Sequence, residues 1–223
     1  MPRRFREDEE QRIRAALLDA GRSIMGQRGV RKTTIDDLAR TAGISKGSFY
    51  RFFPGKEALA LTVLAEWERE FHAELNRFFA REDPRSVGTM ADVLHRVFLE
   101  LFPRRVMETG VAALLDPEEI AWLATHADPE HREQMDRQDL RLFEHLQQFF
   151  TRAGLAPCIP EAEILAGLRL LFEAGLHVMQ APREGILSAE HHSSAFLHLI
   201  RGFVAEAFRQ VARDAGLPDG GQS

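Results

Sequence analysis

The sequence predicts an all-α fold, and three observations carry that reading. Apolar residues recur at three- and four-residue spacing along most of the chain. No stretch combines strict alternation with β-branched enrichment. Proline and glycine fall in the gaps between the periodic segments.

Taken in order, a first helix is predicted from about Glu9 to Gln27, with Ile13, Leu17, Ala20 and Ile24 on one face and Gly29 as its end. A second runs from Thr34 to Ala42. Thr34 stands three residues before Asp37, which resembles a capping box, and Gly43 supplies the stop. A third begins at Ser45 and ends before Pro54-Gly55, and a long fourth extends from Lys56 to about Arg81. Past Asp83-Pro84, helices are predicted near 87–102, 104–114, 117–126, 129–153, 161–181 and 189–214. Asp116-Pro117 and Asp128-Pro129 each set a capping acid before a first-turn proline. The organisation expected is 1–55 as one domain, 56–83 as a connecting helix, 84–216 as a second helical domain and 217–223 as a disordered tail.

Composition limits the function classes. One cysteine, Cys158, leaves no internal disulfide and no CxxC metal or redox pair, so a reducing cytoplasm is expected. No apolar run reaches the ~18–20 residues that span a bilayer. MPRRFREDEE lacks the apolar core of a secretory signal. The formal charge of −5 hides an asymmetry: residues 1–60 hold 13 Lys and Arg against 8 Asp and Glu, and the rest hold 16 against 26. All three lysines (Lys32, Lys46, Lys56) lie in the basic segment, which points to a polyanion partner for that end alone.

Segment 34–53 is the sharpest local signal. Two short helices joined by Gly43-Ile44 have the spacing of a helix-turn-helix. Leu38, Ala39, Ile44, Phe49 and Phe53 can turn inward onto the first helix, leaving Lys46, Gly47, Ser48, Tyr50 and Arg51 outward. Lysine and arginine neutralise phosphates or read guanine edges, hydroxyls bond phosphates, and glycine permits close backbone approach. Tyr50 is the one tyrosine beside 16 phenylalanines, a choice that suggests a hydrogen-bonding task.

The run Thr34, Leu38-Ala39, Ala42-Gly43-Ile44-Ser45, Gly47, Tyr50, Phe53, Lys56-Glu57 and Leu59 resembles the DNA-binding domain of the tetracycline-repressor (TetR) family, together with the amphipathic helix upstream. It departs at Phe52-Phe53, where the family often has Tyr or His before the Phe. The resemblance covers roughly residues 9–65. It implies an N-terminal three-helix helix-turn-helix DNA-binding domain and a C-terminal helical ligand-binding and dimerisation domain. It further implies that Thr34 caps the second helix and meets a phosphate. Ser45, Lys46, Gly47 and Ser48 would lie in or beside the major groove, and Tyr50 and Lys56 on phosphates, with Arg51 and Arg31 as additions. The arm Arg3-Arg4-Arg6 reads as solvated charge.

The second half carries fewer signals. Helices 161–181 and 189–214 are apolar around more than half their circumference, and in the family the last two helices pair across a two-fold axis. Leu168, Phe172, Phe196, Ile200 and Phe203 are therefore expected at a homodimer interface. Phe98, Phe102, Met107, Trp122, Phe143 and Phe172 are expected to line an effector pocket. The histidines lack metal-ligand spacing, no catalytic constellation is present, and no cofactor or membrane is implied. The expectation is a repressor, not an enzyme, that leaves a palindromic double-stranded DNA operator when a small apolar or aromatic molecule binds. The competing reading is a ligand-independent DNA-binding or nucleoid-associated protein whose second half serves dimerisation or protein interaction.

Overall fold

The computed structural model describes residues 7–83, 85–126, 128, 133, 146–179 and 188–211. Its helices are α1 (Glu7–Arg28), α2 (Ile35–Thr41), α3 (Lys46–Phe49), α4 (Lys56–Phe79), α5 (Val87–Arg96), α6 (Phe102–Thr109), α7 (Pro117–His126), α8 (described over 146–152), α9 (Glu161–Met179) and α10 (Ala189–Ala207). Among the described residues regular structure is almost wholly helix. The chain forms two compact units: Met1–Ala73 with Arg104–Leu140, and Glu74–Pro103 with Arg141–Ser223. No helix among the described residues is long and apolar enough to cross a membrane.

In the first unit, α1 carries four acids in its first turn and Arg28 in its last, both matching the helix dipole. Its inward face is Leu17, Ala20 and Met25, all buried, while Ile13 and Ile24 sit at the margin. These residues share a core with Val30, Leu38, Ala39, Phe49, Phe53, Leu59 and Val63. At Gly26 the helix passes so close to the chain before α7 that an added Cβ would lie 1.9 Å from the Gly110 carbonyl oxygen, a backbone atom that cannot step aside. The Ala113 N–H donates to the Gly26 carbonyl at the same crossing, 3.0 Å. The described stretch 104–126 thus belongs with the N-terminal helices.

In the second unit, Ser86 and Thr89 close a reciprocal capping box at the start of α5. The expected break at Pro103 does not occur. A π-helical turn, Val97–Leu101, leads directly into α6, with the Phe102 N–H reaching back to the Val97 carbonyl. Pro103 follows directly on this widened turn, which has no N–H of the proline to satisfy. Phe79 stacks on Phe149 at 4.1 Å, and Met90, Leu94, Phe196, Ile200 and Val204 fill the middle. The helix expected to reach residue 214 stops at Ala207. Residues Phe208–Gln210 (β2) instead pair antiparallel with Leu155–Pro157 (β1), Ala156 opposite Arg209. Phe208 drives this exit: its ring stacks on Phe150 at 4.1 Å and is buried there. Most of the helix expected over 129–153, and the tail, lie outside the described residues.

Candidate nucleic-acid interface

The α2–α3 motif is built by local rules. Thr34 is extended (φ −107°, ψ 152°) and its hydroxyl accepts the Asp37 N–H at 3.2 Å, the N-cap the sequence predicts. The box is not reciprocal as written, because the Asp37 carboxylate takes the Thr34 hydroxyl proton at 2.9 Å and faces Arg28 and Arg40. Those bonds, the Thr34 hydroxyl first and Arg28 next, hold Asp37 below the ordinary carboxylate range. Gly43 turns the chain at φ +70°, a conformation that strains any side chain, and the Ile44 N–H then returns to the Ala39 carbonyl at 2.9 Å. Ser45 caps α3 by accepting the Ser48 N–H at 3.1 Å. α3 is shorter than expected, a single turn that ends at Phe49.

Phe49 anchors that turn: it is fully buried, its ring 6.1 Å from Phe53. Locking this side inward forces the other outward. Lys46, Gly47 and Tyr50 are exposed, Tyr50 by 51%, with its ring set edge-on against Phe49 at 5.7 Å. The Lys46 ammonium lies 2.9 Å from Asp36 on α2, which raises its pKa and keeps it charged. Arg51 is exposed and 3.7 Å from Glu10. Thr34, Ser45, Lys46, Gly47, Ser48, Tyr50 and Arg51 therefore gather on one motif. The Arg3-Arg4-Arg6 arm lies outside the described residues.

Lys56 departs from expectation. Its ammonium donates to three backbone carbonyls, those of Val30 (2.8 Å), Arg31 (3.1 Å) and Thr33 (3.0 Å). An ammonium has three N–H bonds and all three go to these carbonyls, so Lys56 ties down the α1–α2 loop.

The same loop is held from a residue the sequence reading passed over. Glu119, in the first turns of α7 and only 6% exposed, accepts the Val30 N–H (2.8 Å) and the Arg31 N–H (3.2 Å) on one oxygen. Its other oxygen takes Arg31 Nε at 2.7 Å. Burial pushes the Glu119 pKa up, but the Arg31 side chain and the two amides outweigh it and set it below the ordinary value. Arg31 also reaches Glu118 at 3.1 Å, and these carboxylates raise its own pKa. Asp116-Pro117-Glu118-Glu119 reads in sequence only as a helix start; the one available clue was an acidic pair following an N-cap acid.

The expected effector and dimer residues are redistributed. Phe98, Phe102 and Phe172 lie in the second unit, where Phe102 meets Phe172 edge-on at 4.8 Å and Phe98 meets Phe196 at 5.5 Å. Trp122 lies in the first unit, stacked on His126 at 4.2 Å and 5.6 Å from the Lys56 ammonium, and Met107 is 75% exposed there. Phe143 lies outside the described residues. At the proposed interface, Phe196 and Ile200 are corrected to core: they are 1% and 0% exposed within their own chain. Phe203 is half-buried against Gly167, and Leu168 and Phe172 are also half-buried. The large apolar side chains left outward on α9 and α10 are Leu170 and Leu199. No group of three His, Cys, Asp or Glu side chains among the described residues could hold a metal ion.

Residues 17–63, which run from the second half of α1 through the first turns of α4, match the model of the bacterial regulatory proteins of the tetR family. The HTH-type transcriptional regulator TtgR of Pseudomonas putida is 36% identical over 102 residues, 45% of this chain and 48% of that protein. The chain thus spans about half the length of that relative. The HTH-type transcriptional regulator EthR of Mycobacterium tuberculosis is 28% identical over 176 residues, 67% of this chain and 80% of that one. Among solved structures, NalD of Pseudomonas aeruginosa superposes with a TM-score of 0.53 at 18% identity, covering 89% of this chain and 98% of that one. The cap–turn–anchor pattern of 34–53 lies inside the matched stretch, and the mainly helical remainder follows the fold of the neighbours. Residues 17–63, which hold the whole α2–α3 motif, are thus the stretch this chain shares with the TetR family of bacterial regulatory proteins.

Proposed function

We propose that this chain is a DNA-binding transcriptional regulator that acts as a homodimer, and that it represses from a two-fold-symmetric operator. One observation carries the reading: the buried Phe49 locks α3 so that Lys46, Gly47 and Tyr50 are presented together beside the Ser45 cap. That set offers a cation, a hydroxyl and an unobstructed backbone to a duplex edge. A single such turn makes too few contacts for a tight specific site, so two copies about one DNA turn apart are required. Leu170 and Leu199, exposed on the last two long helices, are the apolar side chains we assign to the pairing surface. The relatives named as transcriptional regulators, and NalD, described as a repressor, support the assignment.

The test uses a duplex enriched from a random-sequence library by the wild-type chain. Lys46→Ala is expected to weaken binding and to lower the slope of log affinity against log salt by about 0.9 per lost phosphate contact. Equal affinity and equal slope would remove Lys46 from the interface. Release by a small apolar or aromatic effector is the natural form of control for such a dimer, with Phe98, Phe102 and Phe172 the aromatic candidates to receive it. The edge-on contacts of these rings with one another and with Phe196 favour the alternative of a filled second unit without an effector. Screening apolar small molecules for release of the enriched duplex separates the two.

A further inference from the structure

The loop from Val30 to Thr33 joins α1 to the α2–α3 motif, and it is gripped on both of its polar edges. Its amides at 30 and 31 are taken by the Glu119 carboxylate of α7, at 2.8 and 3.2 Å. Its carbonyls at 30, 31 and 33 are taken by the Lys56 ammonium of α4. The two grips are joined, because Trp122, one turn along α7 from Glu119, sets its ring 5.6 Å from Lys56 Nζ. A buried carboxylate is costly unless hydrogen bonds and a cation compensate it, and here the compensation comes from residues 88 and 89 positions away.

We propose that Glu119 is a positioning residue for DNA binding, through which α7 fixes the geometry at which the α2–α3 motif is presented. The proposal rests on the DNA-binding reading above. Its physical content is the steepness of the hydrogen bond with distance. Displacing α7 by about 1 Å takes both amide bonds beyond useful length, and the loop then keeps its carbonyl grip on Lys56 but loses the one on its amides. A motif that must meet phosphates and base edges to within about 0.5 Å tolerates little such freedom. α7 is therefore an element by whose position DNA affinity can be set, without touching DNA itself.

The experiment compares the full-length wild type, Glu119→Gln, Glu119→Ala and Lys46→Ala on the same enriched duplex. Affinity, salt slope and the hydrogen-exchange rates of the Val30 and Arg31 amides are measured at a temperature where circular dichroism shows every variant folded. Glu119→Gln keeps the volume and one acceptor, so it reports even if Glu119→Ala does not fold. Both Glu119 variants are expected to speed exchange at 30 and 31 and to weaken binding, roughly tenfold for loss of the charge-assisted bonds, with the salt slope unchanged. Lys46→Ala is expected to lower the slope and leave those amides protected. Faster exchange with wild-type affinity, or unchanged exchange, overturns the positioning role while the DNA reading stands on Lys46. A wild-type chain that enriches no duplex sinks both.

Discussion

Replacing Lys56 with Met separates two roles that a lysine at the start of this helix could have. Methionine keeps the aliphatic stem and removes the ammonium. If Lys56 neutralised a phosphate, each protomer would lose one counterion-release contact, and a dimer's salt slope would fall by about 1.8. The structure argues otherwise, since the ammonium sits 2.8–3.1 Å from three carbonyls of the α1–α2 loop. Removing it takes a charged donor from three loop carbonyls, of which that of the buried Val30 keeps the Thr33 N–H, at a cost of about 1–3 kcal/mol. For a chain of this size that corresponds to a melting temperature lower by roughly 2–12 °C. The expected result is weaker DNA binding at every salt concentration, a lower melting temperature by calorimetry, and a double-log slope equal to that of the wild type. A slope reduced by one to two units with an unchanged melting temperature refutes the tether and restores the phosphate contact.

Two further outcomes follow from the geometry. Leu199→Glu is expected to convert the dimer to monomers in sedimentation at micromolar concentration with helical content kept, because Leu199 is 59% exposed and packs little within its own chain; an unaltered dimer places the pairing surface elsewhere. The pH dependence has a definite sign, because Glu119 and Asp37 both titrate below their ordinary values in the folded chain. Their stabilisation is complete above the unfolded-state carboxylate pKa, about 4, and is lost as pH falls through the lower folded values. Protection of the Val30 amide should therefore be flat from pH 8 to about 5 and fail only in stronger acid; a loss centred near pH 6–7 contradicts the assignment.

The helices of the first unit were legible because their signals are local. Thr34, Ser45 and Gly43 act within three or four residues of themselves, so hydroxyl caps and a left-handed turn can be read directly from the chain. The π-helical turn at 97–101 was not legible, because Pro103 signals a break in sequence and only the widened backbone removes its clash. The end of the last helix was hidden for a different reason. Helical periodicity continues past Ala207, but Phe208 gains more by stacking on Phe150 than by continuing the helix, and that partner lies 58 residues earlier.

The site divides along the same line. Residues that face outward, such as Lys46 and Tyr50, are identified by the inward residues between them, and that alternation is present in the sequence. Residues that act on another segment's backbone leave no such trace. Peptide N–H and carbonyl groups are the same at every position, so nothing in Val30-Arg31-Lys32-Thr33 announces that its amides need a carboxylate or its carbonyls an ammonium. Lys56 and Glu119 satisfy those groups from opposite sides, and each looked in sequence like something more familiar, a phosphate ligand and a helix-start acid. The misreading of Phe196 and Ile200 has a parallel origin: a helix apolar on most of its circumference does not say which part meets its own core and which part a second copy. Burial decides it, and leaves Leu199 on the outside of α10 while Phe196 and Ile200 close the inside. Pattern in a sequence therefore reports that a surface is apolar or charged, whereas its partner is fixed only when the long-range backbone contacts are in place.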